Sequence, residues 1–422
     1  MLVRIKQIFS VRLFRCQMGV SDSLGCEPQN LGYNFVLYDL HLLKGPEMVL
    51  DKHQWSLNMK AKGLAISGVL CCAFILSSCA TSSSVMFRAD PNHSGVFKTS
   101  GLKELDRLAW KYSLSDKSFA SPVVAGESVY LGAQDGYLYA VDLNTGNLKW
   151  KFRTEANIES TVAVSDGVVY AGSWDGKVYA IAAATGEALW TFPTAGQVYS
   201  SPTVADGVVY VGSEDNHLYA LDANTGVEKW SFKTGGGVYS APAVSRGYVF
   251  FGSLDGNLYS VNANTGQEQW KFPVRSKIYS SPSVDGEYVY FGADDKHVRA
   301  VNVLTGQEHW RYKTAGKVSS SPGVIGDNVI FGSLDGYVYA LNSETGNRRW
   351  EYKTDGPVYS SPALASKTVF IGSSDHHLYA IDTENGKLRW KYRTTDKVYG
   401  SPSLGKGMVA FNSVNGELFL VK

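Results

Sequence analysis

The chain has 422 residues, with 40 Lys and Arg against 39 Asp and Glu, 44% hydrophobic and 19% charged. This is the balance of a soluble globular protein, and it excludes collagen-like, disordered and polytopic membrane classes. A formal charge of +1 also argues against a dedicated nucleic-acid binder, which would carry a basic excess.

The N-terminal part reads as an address. Residues 1–58 precede what looks like a signal, where an n-region should be terminal. They are read as an extension from a start placed too early, with Met59 or Met48 the true start. Lys60 and Lys62 then form a positive n-region, followed by an uncharged, mostly apolar stretch over residues 63–76. That stretch is short for a transmembrane helix. Leu76-Ser77-Ser78-Cys79 resembles the lipobox of bacterial lipoproteins. The resemblance implies a signal peptide over 59–78 and a lipidated Cys79, with 79–102 as tether and lead-in. Ala80 after the cysteine resembles an outer-membrane sorting signal. The five cysteines are Cys16, Cys26, Cys71, Cys72 and Cys79, so nothing beyond position 79 can form a disulfide or a thiolate site.

From residue 103 the chain is one unit repeated. Trp110, Trp150, Trp190, Trp230, Trp270, Trp310, Trp350 and Trp390 are evenly spaced, and the rows align without insertion. Each unit predicts four short strands, shown in the third by residues 198–204, 208–212, 218–222 and 229–233. Asp-Gly and Asn-Thr-Gly turns separate them. Such a blade cannot bury both faces alone, and radial repetition buries them against neighbours. The last row stops at Lys422, before its Trp strand. Residues 105–112, with Trp110, supply the missing strand. The prediction is all-β: an eight-bladed β-propeller over 103–422, closed by an N-terminal strand.

Residues 201–230 nearly spell the PQQ-type (quinoprotein-like) β-propeller repeat, and residues 86–95 resemble the segment that opens such proteins. WD40 fits less well, since Trp174-Asp175 occurs once and at a turn. The resemblance implies one of two kinds of protein. Quinoprotein dehydrogenases bind PQQ and Ca²⁺. Non-catalytic members, of the BamB kind of outer-membrane assembly lipoprotein, are interaction platforms. The enzymes build their pocket from insertions between blades and an adjacent cysteine pair. Here every blade has equal length, and Cys71-Cys72 lies in the signal. The Asp column from Asp135 to Asp375 reads as turn-formers. His217, His297, His376 and His377 read as solvated turn residues. The expectation is therefore no enzyme, no catalytic residue, no metal and no PQQ.

Partner chemistry is sought where blades differ. Before the turn Asp (Asn415 in blade 8), blades 2, 4, 6 and 8 carry Trp174, Leu254, Leu334 and Val414, while blades 1, 3, 5 and 7 carry Gln134, Glu214, Asp294 and Ser374. Blade 5 is basic, with Arg275, Lys277, Lys296, His297 and Arg299. Trp174, Leu254, Leu334, Arg275 and Arg299 are the candidate partner-binding residues. The expected function is a lipid-anchored scaffold in the bacterial envelope, in the outer membrane facing the periplasm or on the outer face of the cytoplasmic membrane. Its expected partners are envelope proteins, with outer-membrane β-barrel assembly the most specific version. The alternatives are a PQQ-dependent dehydrogenase or a quinone binder, or a small-ligand or carbohydrate binder using Tyr199, Tyr239, Tyr279, Tyr359 and Tyr399.

Overall fold

The computed structural model describes residues 84–422, and the backbone of two short antiparallel strands, Leu37–Asp39 and Asp51–His53. The chain divides into two units, residues 1–79 and 80–422. The signal segment and Cys79 lie outside the described residues. No helix among those residues is long and apolar enough to cross a membrane.

The second unit is eight four-stranded antiparallel sheets arranged as blades. Blade 3 shows the pattern: Thr203–Ala205, Val208–Gly212, His217–Asp222 and Glu228–Lys233, in that order. Alternation follows from burial. Val209, Val211, Leu218 and Ala220 are fully buried, while the outer strand alternates exposed and half-buried residues. The hydrophobic core is not central. It forms eight clusters, each joining two adjacent blades, as where Val209 and Leu221 of blade 3 meet Val178 and Ala180 of blade 2. Each blade thus completes its neighbour.

The innermost strands are shorter than expected. In blade 3 only Thr203–Ala205 is strand, and residues 198–202 run as irregular chain along the axis. Pro202 has no N–H to give a ladder. The preceding hydroxyl residues bond round the ring instead. Thr161 N–H donates to Ser201 Oγ at 2.9 Å, Ser281 N–H to Ser321 Oγ at 2.9 Å, and Ser401 N–H returns to Ser121 Oγ at 2.8 Å. Ala241 lacks the hydroxyl and breaks this belt between blades 3 and 4.

Ring closure takes the expected form. Strand Leu108–Ser113 pairs antiparallel with Glu417–Val421 as the outer strand of blade 8. Seven of the eight Trp of the column donate their indole N–H to a carbonyl of the next blade, as Trp150 does to Ala183 at 2.9 Å. Blade 8 ends before the turn that would receive Trp390. The Leu102 carbonyl takes its place, at 3.2 Å.

The lead-in is no loose tether from Ser84 onward. Its carbonyls accept N–H groups of the inner strands of blades 2, 4, 5, 6 and 7: Val85 from Val164, Pro91 from Val244, Asn92 from Val284, Ser94 from Val324 and Gly95 from Leu364, all at 2.7–2.9 Å. These contacts lie next to the first-to-second-strand turns, so the lead-in circles the axis at the end opposite the second-to-third-strand turns. Arg88 is buried there and donates to the carbonyls of Pro322 (2.7 Å) and Pro362. Burial pulls its guanidinium down to about 9. His93 has no exposed surface. Its Nδ1 faces the Pro282 carbonyl at 3.2 Å, so that nitrogen carries the proton, and Nε2 accepts from the Thr203 hydroxyl at 3.0 Å. Burial first, and Arg88 second, push the imidazole down to about 3.

A pH dependence follows. The folded state holds His93 neutral, while the unfolded chain takes a proton below about pH 6.5. Stability is full above that pH and falls as pH drops towards 3, by about 1.4 kcal/mol per unit. Urea midpoints of wild type should therefore drop more steeply between pH 6.5 and 4.5 than those of His93→Gln. Parallel slopes would mean that the ring is solvated.

Candidate interaction face

The second-to-third-strand turns and the loops entering each blade meet at one end of the ring, called here the top. The Asp column organises them. Asp175 Oδ1 accepts the Lys177 N–H at 3.0 Å, while Oδ2 accepts the Glu155 N–H at 3.0 Å and the Tyr179 hydroxyl at 2.6 Å. Asp215, Asp255, Asp335 and Asp375 repeat the pattern. Burial first, then the carboxylate, raises these tyrosines well above their ordinary range. A carboxylate so occupied is a turn-former. The histidines sit beside it: His217 Nδ1 is 3.1 Å from the Asp215 carbonyl, and His377 Nδ1 2.9 Å from that of Asp375. Among the described residues no group of three or more His, Cys, Asp or Glu could hold a metal ion.

In blades 1, 2, 3 and 5 the residue before the turn Asp reaches the next blade at the mouth of the axis. Gln134 donates to Glu159 at 2.8 Å, the Trp174 ring meets Tyr199 at 4.7 Å, and Glu214 accepts from the Tyr239 hydroxyl at 3.0 Å. The position they reach forms an aromatic collar. Tyr199 stacks on Tyr239 at 4.4 Å, and Tyr239 meets Tyr279 edge-on at 5.9 Å. Across the ring, Tyr359 packs on Tyr399 at 4.9 Å, and Tyr399 on Phe119 at 6.1 Å. Glu159 and Ser319 interrupt the collar. Burial raises the Glu159 carboxyl, which offsets part of its acidity at this mouth. Tyr279 is 36% and Tyr359 42% exposed, a large apolar area to leave in water.

The structure brings Trp174 into this collar, half-buried, with its indole nitrogen enclosed and lacking a hydrogen-bond partner among the described residues. Leu254 and Leu334 occupy the equivalent position in blades 4 and 6, also half-buried, while Val414 is buried. Arg275 is exposed on the loop entering blade 5. Arg299 is different. It is 5% exposed and replaces the third-strand Tyr, gripping Asp295 with both terminal nitrogens (Nη1–Oδ1 3.0 Å) and reaching Glu308 with Nε at 3.3 Å. Its place is inside the blade, so it offers a partner no surface. Sequence reasoning missed Phe119 in the collar and the buried hydrogen bonds of Arg88 and His93. The first was legible as an aromatic in the tyrosine column. The others depend on carbonyls from separate blades.

Two families match parts of the chain: one described as the β-propeller of beta-alanine-activating enzyme, over residues 136–325, and one described as outer membrane protein assembly factor BamB, over residues 100–161 and 353–421. No curated protein matches the sequence. Among solved structures, BamB from Moraxella catarrhalis is 19% identical with a TM-score of 0.66, covering 75% of this chain and 99% of its own. A europium-containing methanol dehydrogenase is 14% identical with a TM-score of 0.71, covering 80% and 97%. The computationally designed Ika8 protein is 20% identical with a TM-score of 0.67, covering 73% and 97%. At these identities the likeness is one of fold.

Proposed function

We propose, from the premise that this chain is a PQQ-type β-propeller repeat protein resembling the outer membrane assembly factor BamB, that it is a non-enzymatic protein-interaction scaffold. The observation that carries this reading is the collar: stacked aromatics with two exposed tyrosines and Trp174, beside turns whose Asp carboxylates are already hydrogen-bonded. Aromatic anchors on a fixed frame are what binding hot spots use. Anchoring through Cys79 and a place in outer-membrane β-barrel assembly are the finer parts of the proposal, supported by the lipobox and by the resemblance.

The enzymatic alternative fits the residues poorly. PQQ needs a pocket and Ca²⁺ several converging oxygen ligands. The cavity on the axis, between the lead-in and the serine belt, measures about 10 Å³, room for one water. The turn carboxylates are spent on N–H groups and tyrosines. Larger depressions do exist: an open one of about 360 Å³ on the top turns, against Leu334, Lys353 and Pro357, and one of about 760 Å³ at the opposite end, against Val85, Pro91, Phe97 and Leu404 of the lead-in and blade 8. We expect titration with PQQ and Ca²⁺ to give no specific spectral change and no dye-linked alcohol oxidation. A photo-crosslinking residue at Trp174 or Leu334 should trap a discrete protein in native membranes, and one at Thr145, on the opposite end, should not. Saturable PQQ binding with turnover would reverse the ranking.

A further inference from the structure

The loop entering blade 5 is wired unlike its equivalents. In five other blades the second residue of this loop gives its N–H to the turn Asp, as Ala195 does to Asp215 and Ala315 to Asp335, both at 2.9 Å. The preceding Thr hydroxyl also donates to the carbonyl of the previous turn, as Thr314 does to Lys296 at 3.0 Å. Blade 5 has neither anchor. Val274 replaces the Thr, and Arg299 occupies the Asp295 carboxylate. The Arg275 N–H turns instead to the Gly256 carbonyl at 3.1 Å, and its φ becomes +61°. The turn opposite carries Lys296 at φ +69°, where five blades have Gly. Left-handed backbone is disfavoured for any residue with a Cβ, and such outliers cluster at functional sites.

The consequence is a set of presented cations. Arg275, Lys277 and Lys296 are exposed, and none is in ion-pair range of a carboxylate among the described residues. Beside them are the exposed ring of Tyr279 and half-buried Leu254. Blades 2 and 3 of the collar carry Glu155, Glu159 and Glu214, and Lys177 there is paired with Glu155 at 2.9 Å.

We propose that the blade 5 sector docks an acidic, extended protein segment bearing an aromatic residue. Its carboxylates pair with Arg275, Lys277 and Lys296, and its ring packs on Tyr279 and Leu254. A lipid headgroup would use the cations and leave the apolar pair unfilled. Arg299 is a positioning residue: it withdraws Asp295 from the loop and so sets how Arg275 is displayed. This inference rests on the scaffold reading of the top face and names the chemistry of one partner segment.

The test is fluorescence anisotropy with a labelled Glu-rich peptide carrying two Phe residues, and a Lys-rich counterpart, on the intact protein. Saturable, salt-sensitive binding of the Glu peptide alone is expected, weakened roughly tenfold or more by Arg275→Glu/Lys277→Glu/Lys296→Glu. A second variant keeps all three exposed cations. Val274→Thr/Arg299→Tyr restores both loop anchors with the residues other blades use, and should weaken binding by about threefold or more. Absent binding, or equal binding by wild type and triple variant, overturns the proposal. So does preferential, cation-dependent binding of phosphatidylglycerol vesicles. If the Trp174 crosslink persists undiminished in the triple variant, this sector is not the dock and the scaffold reading survives. If wild type gives no Trp174 crosslink, it is the scaffold reading that fails, and the peptide titration still judges the sector.

Discussion

A chain lacking residues 80–113 loses cooperative unfolding and associates through an open blade, whereas one lacking 80–102 unfolds cooperatively at a lower denaturant concentration. The longer deletion removes the strand that pairs with Glu417–Val421 and leaves a row of unpaired N–H and C=O groups on blade 8. It removes Trp110, whose indole donates to Leu143 at 2.8 Å and packs in the cluster joining blades 8 and 1. It also removes Lys111, paired with Glu417 at 2.7 Å. Loss of a core Trp costs about 3–5 kcal/mol, and loss of half-buried Trp110 less, against a total stability of about 5–15. The shorter deletion spares that strand and removes the lead-in, with its bonds to five inner strands and the Leu102 carbonyl under Trp390. Each such bond contributes about 0.5–1.5 kcal/mol net. Urea unfolding and size-exclusion chromatography read both effects. If the longer deletion melts like the parent and stays monomeric, the ring does not close through these residues.

Much of this geometry was legible because a propeller is periodic. Columns common to all rows have the same physical task, so the Trp, Val, Asp and Gly columns could be assigned without coordinates. The missing last strand also pointed to its N-terminal replacement. Legibility ended where a residue's partner lies on another blade or off the repeat. The inner strands were read as longer than they are, because the Val-Tyr-Ser-Ser-Pro stretch looks β-like. Its N–H groups go to hydroxyls one blade away, a pairing that no local pattern displays. Arg299 was read as surface charge from its identity. Its spacing from Asp295, the same as that of Tyr179 from Asp175, was a usable sign that it takes over the tyrosine's bond and lies inside. Arg88 and His93 gave no sign, since a buried cation meeting proline carbonyls of blades 6 and 7 is visible only once the ring is closed.

Gly226→Ala should destabilise the propeller by about 2–4 kcal/mol, and Gly207→Ala by about 1 kcal/mol, although the two glycines have nearly the same left-handed φ. Gly226 has φ +72° and Gly207 φ +73°, so an added Cβ carries the same left-handed strain at both, about 1–2 kcal/mol. A smaller unfolded-state entropy returns about 0.4–1 kcal/mol of it. The difference is in what the Cβ meets. At Gly207 nothing lies within 4 Å. At Gly226 the Trp190 ring of the previous blade is 2.7 Å away, closer than any real Cβ contact. Trp190 cannot retreat freely, because its indole N–H is held by the Ala223 carbonyl at 2.9 Å in the same turn. Overpacking of this kind costs about 1–3 kcal/mol, and that is the excess expected for Gly226→Ala. Urea midpoints of the two variants, measured side by side, isolate the Trp–Gly contact from backbone strain. Because Gly186 and Gly266 face Trp150 and Trp230 at the same 2.7 Å, Gly186→Ala and Gly266→Ala should show the same excess. Equal effects at positions 207 and 226 would mean that the Trp column is not what sets the blade-to-blade spacing.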